Sequence, residues 1–361
     1  MNKEVIREVR GRMGLITLNR PKALNALSLG MVRELTEALL RWKHDEGVDA
    51  VAVRGVGREG PFGAFCAGGD IRFFHQAALS GDPRLEDFFT EEYALNHLVH
   101  RYPKPYVVFM DGIAMGGGMG IAGHGAAGSL RIATERTKLA MPETNIGLFP
   151  DVGGGWFLAR CPGRIGEYLA LTGQVISGAD GLAAGLADLL VDSADLPALW
   201  EQLAEGGAQA VQALRERRGE HPASALAAQG EAIGRFFSLP DVPAIVAALE
   251  ADGSDWARET AAVLRKRSPL MLHVVFEQMR RARQMSLAQD LRMERDMVRH
   301  CFHLRPGAAS ETVEGIRALA VDKDHAPRWN PARIEDVRPE MVQPFFDSPW
   351  PAHAHPLREL A

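Results

Sequence analysis

The stretch Pro105–Gly120, PYVVFMDGIAMGGGMG, runs a short apolar segment straight into a glycine cluster. Pro105–Met110 has the length and the β-branched and aromatic make-up of a buried strand, and Asp111-Gly112 breaks it. Upstream, Val48–Val56 reads as another strand. It ends in a glycine-rich loop, Gly57 to Asp70, which contains Phe65–Asp70, FCAGGD. Met13–Leu18 is a third apolar run, stopped by Asn19-Arg20-Pro21. Helical patterns fall between these runs. Ser28 is a predicted N-cap, and Val32, Leu35, Leu39 and Trp42 follow at helical spacing to about Asp45. Leu85–His100 is a second amphipathic segment. This alternation predicts an α/β fold with much of its sheet buried.

Composition narrows the classes of function. The chain has 361 residues, enough for a sizeable core and for one large domain or two moderate ones. With 41 Lys+Arg against 46 Asp+Glu the net charge is −5, without the basic excess of a general nucleic-acid binder. The three cysteines, Cys66, Cys161 and Cys301, form no CxxC and no readable disulfide framework, as expected in a reducing compartment. The first residues, MNKEVIREVR, show no apolar leader, and no apolar run approaches the ~18 residues of a membrane helix. A cytoplasmic protein without membrane or nucleic-acid partners is the expectation.

The 37 glycines are unevenly spread. They cluster at Gly55–Gly63, Gly68–Gly69, Gly116–Gly120 and Gly153–Gly155, and become sparse after about Leu196. A composition boundary near Asp195 therefore separates residues 1–195 from a mainly helical 196–361. In that last third, Ser268-Pro269 predicts a helix start with an apolar stripe of Leu270, Val274, Val275 and Met279. Ser286 with Gln289 predicts a capping box, and Ser310 caps a third helix ending near Asp322. The tail after Arg328 reads as an irregular wrap.

Chemistry gathers at two strand-to-helix junctions, Phe65–Asp70 and Met115–Gly120. Glycine lets backbone N–H groups approach a ligand, and a helix N-terminus adds unsatisfied donors. Two such junctions together can clamp one oxygen that becomes negative in a transition state. Close helix–sheet packing needs glycine equally, and for either junction alone both readings stand. Gly118–Gly123 also matches GxGxxG after a strand. Its depth in the chain, its place inside a longer glycine run and the lack of a strand-ending acid about 20 residues on weigh against a dinucleotide site.

A third segment, Met141–Trp156, MPETNIGLFPDVGGGW, sets Glu143 and Asp151 among Met, Ile, Leu, Phe and Trp. Lost hydration raises a carboxylate's pKa and suits it to acid–base or nucleophilic work. Glu143 favours that role. Asp151 taken alone reads more readily as the N-cap of a helix running through Leu158. The 12 His are scattered, and no metal-ligand spacing, no GxSxG and no Cys–His nucleophile emerge.

At these segments the sequence resembles the crotonase (enoyl-CoA hydratase/isomerase) superfamily over about residues 10–195. The resemblance rests on Leu18–Asn25 (LNRPKALN), Phe65–Asp70, Gly112–Gly120 and Leu169–Val191 (LALTGQVISGADGLAAGLADLLV). Within it, Met141–Trp156, Glu91-Glu92-Tyr93, Ser268-Pro269 and Gly315–Asp324 (GIRALAVDKD) most resemble the 3-hydroxyisobutyryl-CoA hydrolase branch. The implied fold is the ClpP/crotonase α/β fold of repeated ββα units with a C-terminal helical region. The implied activity is hydrolysis of a short 3-hydroxyacyl-CoA thioester, 3-hydroxyisobutyryl-CoA first and 3-hydroxypropionyl-CoA second, with no cofactor. The alternatives are an enoyl-CoA isomerase or hydratase on the same fold, or a non-catalytic acyl-CoA-binding relative.

Carried over by position, the resemblance implies an oxyanion hole from the N–H groups of Gly69 and Gly117, flanked by Gly68, Asp70 and Gly116. It makes Glu143 the catalytic glutamate, Asp151 a second site carboxylate and Glu92 a substrate-binding group. Arg20, Lys22 and Arg72 are candidate neighbours of the CoA phosphates. The hydratases carry a second glutamate on the helix after the glycine cluster; here that position is Gly120, which argues against two-glutamate hydration. The segment His303–Glu314 looks longer than the branch's tail. A homo-oligomer is expected by resemblance.

Overall fold

In a computed structural model, residues 3–125, 128–217 and 222–361 are described. Strand β2 (Met13–Leu18) is buried along its whole length because it lies inside a mainly parallel sheet. β1 (Val5–Arg10) pairs with it antiparallel; β3 (Ala50–Gly55), β4 (Tyr106–Met110), β6 (Ser129–Ala133) and β9 (Leu189–Leu190) continue the sheet in the order β1-β2-β3-β4-β6-β9, all parallel. A smaller sheet joins β5 (Ile113–Met115), β7 (Lys138–Ala140) and β8 (Ile176–Ser177). A Cβ at Gly14 would lie 2.6 Å from the Trp42 ring, so only glycine admits the helix Leu29–Lys43 this close. That helix begins as expected at Ser28, whose side chain accepts from Met31 N.

The chain divides into two compact units. Unit 1 comprises Met1–Gly69, Ala94–Ala140 and Val175–Ala228; unit 2 comprises Asp70–Tyr93, Met141–Gln174 and Gln229–Ala361. Both sheets belong to unit 1. Its core sets Met13, Leu15, Ala52, Val107, Phe109 and Ile132 against Leu199, Trp200 and Leu203 of the helix Leu196–Arg215. The Asp195 composition boundary falls just before that helix and is a different division of the chain from the compact units.

Unit 2 is helical. Ser268 caps Pro269–Ala282, Ser286 and Gln289 close the capping box of Leu287–His303, and Ser310 caps Glu311–Ile316, which continues as a wider turn to Val321. The apolar stripe of Pro269–Ala282 is buried. Phe74, Phe88, Phe89 and Phe302 form one aromatic cluster, with ring centroids 4.8–5.7 Å apart.

One local reading is supported and one is corrected. The helix after the glycine cluster is only Gly117–Ile121, and Gly123 lies beyond it with φ +83°. The GxGxxG stretch therefore lacks the long helix that a dinucleotide site requires. Asp151 does not cap a helix: the cap of Gly154–Leu158 is Gly153, at φ +85°, and the Asp151 side chain is engaged elsewhere.

Candidate active site

In unit 1 the two glycine junctions are stitched together. Cys66 N donates to Ile113 O (2.8 Å), Met115 N donates to Cys66 O (3.0 Å), and Leu27 N donates to Gly68 O (2.8 Å). Gly68, at φ +100°, has no room for a side chain: a Cβ there would sit 3.2 Å from Met115 O and 3.5 Å from Gly117 N. Gly116, at φ +50°, precedes the first turn of Gly117–Ile121, so the Gly117 N–H has no carbonyl within its own helix. Among the described residues neither Gly69 N nor Gly117 N donates a hydrogen bond. Two adjacent loops thus present two uncommitted backbone donors, the geometry suited to a developing oxyanion. Gly120 is buried within GGMGI, a helix with no ionisable side chain.

Unit 2 brings three carboxyl groups together. Glu143 opens the short 3-10 helix Glu143–Ile146, which ends at Gly147 with φ +65°. A Cβ at Gly147 would meet Glu311 O at 2.3 Å, and Thr312 Oγ1 donates to Gly147 O (2.6 Å). The helix Glu311–Ile316 thereby fixes the turn that carries Glu143. Asp151 follows on the loop, and Glu92 with Tyr93 comes from the helix Arg84–His100. All three carboxyls are nearly sealed from solvent: Glu92 is 2%, Asp151 5% and Glu143 6% exposed. Tyr93 Oη donates to Asp151 Oδ2 at 2.8 Å. Glu92 Oε1 and Glu143 Oε2 have no hydrogen-bond partner among the described residues.

The electrostatics follow from this placement. Burial, then the Asp151 charge, holds Glu92 and Glu143 well above the usual carboxylate range. Burial pushes Asp151 up to about 6, while the Tyr93 hydroxyl and a backbone N–H pull it partly back. Each raised group makes the folded state hold a proton that the unfolded chain releases. The resulting stability is complete below the unfolded pKa near 4 and is lost as pH rises through the folded values. Glu92→Gln removes one such group. It is expected to raise Tm by about 2 °C or more near pH 8 and by much less near pH 4.5. Equal shifts in thermal melts at the two pH values would contradict the assignment.

The remaining candidates take simpler places. Asp70 caps the helix Ile71–Ser80, accepting from Phe73 N at 3.3 Å. Lys22, in a turn of unit 1, and Arg72, on a helix of unit 2, are exposed. Arg20 donates to Ala26 O and pairs with Glu4.

The family model for enoyl-CoA hydratase/isomerase matches residues 13–346. The chain belongs to that family. The enoyl-CoA hydratase/isomerase relatives include a mitochondrial 3-hydroxyisobutyryl-CoA hydrolase of Danio rerio, 41% identical over 355 residues, covering 96% of this chain and 90% of that protein. Among solved structures, a carnitinyl-CoA dehydratase from Mycobacterium thermoresistibile superimposes with a TM-score of 0.87 at 38% identity over 99% of both chains. An enoyl-CoA hydratase from Rhodobacter sphaeroides 2.4.1 gives 0.86 at 37% identity, over 96% of this chain and 98% of that one. The fold is therefore that of the crotonases.

Several groups gain a role only in the fold. The buried Tyr93 hydroxyl serves Asp151. Gln278, Asp290 and Glu294 were not singled out, yet all three are buried. Their signal was available: Gln278 interrupts an apolar stripe, and Asp290 and Glu294 lie four residues apart on one helix face.

Proposed function

We propose that this chain hydrolyses the thioester of a short 3-hydroxyacyl-CoA, with 3-hydroxyisobutyryl-CoA first and 3-hydroxypropionyl-CoA second. The products are the free hydroxy acid and CoA. The observation that carries the reading is the buried group of Glu143, Asp151 and Glu92 in a chain whose glycine-cluster helix bears no acid at all. Addition of water across a double bond by two glutamates needs a second one on that helix. Hydrolysis needs only one carboxylate to activate water or attack the carbonyl. The name of the Danio rerio relative supports the same choice.

In this mechanism the Gly69 and Gly117 N–H groups polarise the thioester carbonyl and hold the tetrahedral oxyanion. Glu143 takes a proton from the attacking water as the C–O bond forms. When the intermediate collapses, the C–S bond breaks and Glu143 returns the proton to the departing CoA sulfur. Alternatively Glu143 attacks the carbonyl carbon directly, and the C–S bond breaks to expel CoA thiolate. Water then opens the mixed anhydride to the hydroxy acid and the free Glu143 carboxylate, one water proton going to the thiolate. Asp151, oriented by Tyr93, holds the attacking water or the substrate hydroxyl. Glu92 binds at the hydroxyl end, and Gly68, Asp70 and Gly116 shape the loops around the carbonyl. Lys22 and Arg72 meet CoA phosphates.

A panel of acyl-CoA thioesters assayed for thiol release tests the substrate class. The 3-hydroxyisobutyryl and 3-hydroxypropionyl esters are expected to exceed isobutyryl-CoA in kcat/KM by about tenfold or more, because the buried carboxyls pair with a hydroxyl. Equal rates for all three would remove the 3-hydroxyl from the account.

A further inference from the structure

The loop that carries Asp151 has an unusual backbone. Val152 sits at φ +56° and Gly153 at φ +85°, so a β-branched residue is held in the left-handed region. Such a conformation is strained for a β-branched residue and persists only where its surroundings enforce it. The enforcing groups are side chains of unit 2. Glu294 Oε2 accepts from Gly153 N (2.7 Å) and Glu294 Oε1 from Gly155 N (3.0 Å). Asp290 Oδ2 accepts from Trp156 N (2.9 Å). Gln278 Nε2 donates to Pro150 O (2.7 Å) and to Glu294 Oε1 (3.2 Å). Gln278, Asp290 and Glu294 are all buried, and a Cβ at Gly155 would lie 2.7 Å from Asp290 Oδ1.

Three N–H groups point at the two Glu294 oxygens, which accept from all of them. Asp290 receives one N–H on Oδ2, and its buried Oδ1 accepts from none among the described residues.

We infer that Glu294, with Asp290 and Gln278, is the positioning group for Asp151. The trio touches no reacting atom. It pins the loop on both sides of Asp151 and so fixes where that carboxylate points.

The inference rests on the hydrolase reading for its kinetic arm only. In Glu294→Gln, one end of the amide is an NH2 aimed at N–H donors, so the clamp opens. In Asp290→Asn, the amide oxygen still accepts from Trp156 N, so that contact of the clamp is kept. Full-length Glu294→Gln is expected to lose about 10²-fold in kcat on 3-hydroxyisobutyryl-CoA with KM changed by less than about threefold. Asp290→Asn is expected to stay within about threefold of the parent. In parallel, hydrogen exchange of the peptide spanning 150–158 is expected to accelerate in Glu294→Gln and remain slow in Asp290→Asn. Unchanged kcat in Glu294→Gln, equal losses in both variants, or unchanged exchange in Glu294→Gln would each overturn the inference. If the parent releases no thiol, the hydrolase reading fails by itself, and the exchange pattern still decides the clamp.

Discussion

Glu143→Gln is expected to lower thiol release from 3-hydroxyisobutyryl-CoA by about 10²–10⁴-fold, the range that a positioned acid–base group contributes. The amide keeps the size of the side chain and accepts hydrogen bonds, but it can neither take a proton from water nor form an anhydride. Loss of structure cannot mimic the result. Burial and the Asp151 charge hold Glu143 well above the ordinary carboxylate range, so replacing it with a neutral isostere is expected to stabilise the fold near neutral pH. An inactive variant that melts at or above the parent temperature is therefore the expected pair of results. Near-parent turnover would remove Glu143 from the chemistry. A single turnover in water labelled with heavy oxygen then separates the two versions of its role. Label in the protein carboxylate marks direct attack, and label confined to the product marks the general base.

The second large effect concerns the backbone donors, which no side-chain substitution deletes directly. Gly118→Ala reaches them through packing. A Cβ at Gly118 would lie 2.3 Å from Cys66 O and 3.0 Å from Cys66 Cβ. The same carbonyl accepts from Met115 N, so the methyl group has to push the Phe65–Asp70 loop away from the glycine cluster. Gly69 N and Gly117 N then separate. Loss of a preorganised oxyanion donor lowers kcat by about 10²–10³-fold, and the overpacking itself destabilises by about 1–3 kcal/mol. Gly230→Ala is the matched control, since nothing lies within 4 Å of a Cβ at that position. It is expected to change neither kcat nor Tm. A folded Gly118→Ala with parental kcat would show that the two junctions serve packing alone.

Much of this site could be read from the residues because its parts are local. The strand Met13–Leu18, the caps at Ser28, Ser268, Ser286 and Ser310, and the two glycine junctions each announce themselves within a few residues. Glu143 and Asp151 stood out because charged groups in an apolar stretch need a reason. What escaped was non-local or atypical. β1, VIREVR, is an edge strand with one buried residue, so it shows no buried alternation. β5, β7 and β8 are only two or three residues long. Each compact unit is assembled from three separated stretches, which periodicity along the chain does not reveal. An Asp before a helix is ordinarily a cap, but here Gly153 takes that place and leaves the Asp151 carboxylate to Tyr93. Gln278, Asp290 and Glu294 matter through backbone groups more than 120 positions away, a relation that only the fold supplies.

The central claim is that this chain breaks a thioester rather than remodelling the acyl group attached to it. The most direct measurement incubates the purified protein with 3-hydroxyisobutyryl-CoA and, separately, with crotonyl-CoA, following free thiol and intact acyl-CoA by mass. The expected result is stoichiometric CoA and free 3-hydroxy acid from the first substrate, with crotonyl-CoA left unhydrated. Products that retain the thioester, from either substrate and without thiol release, would contradict it.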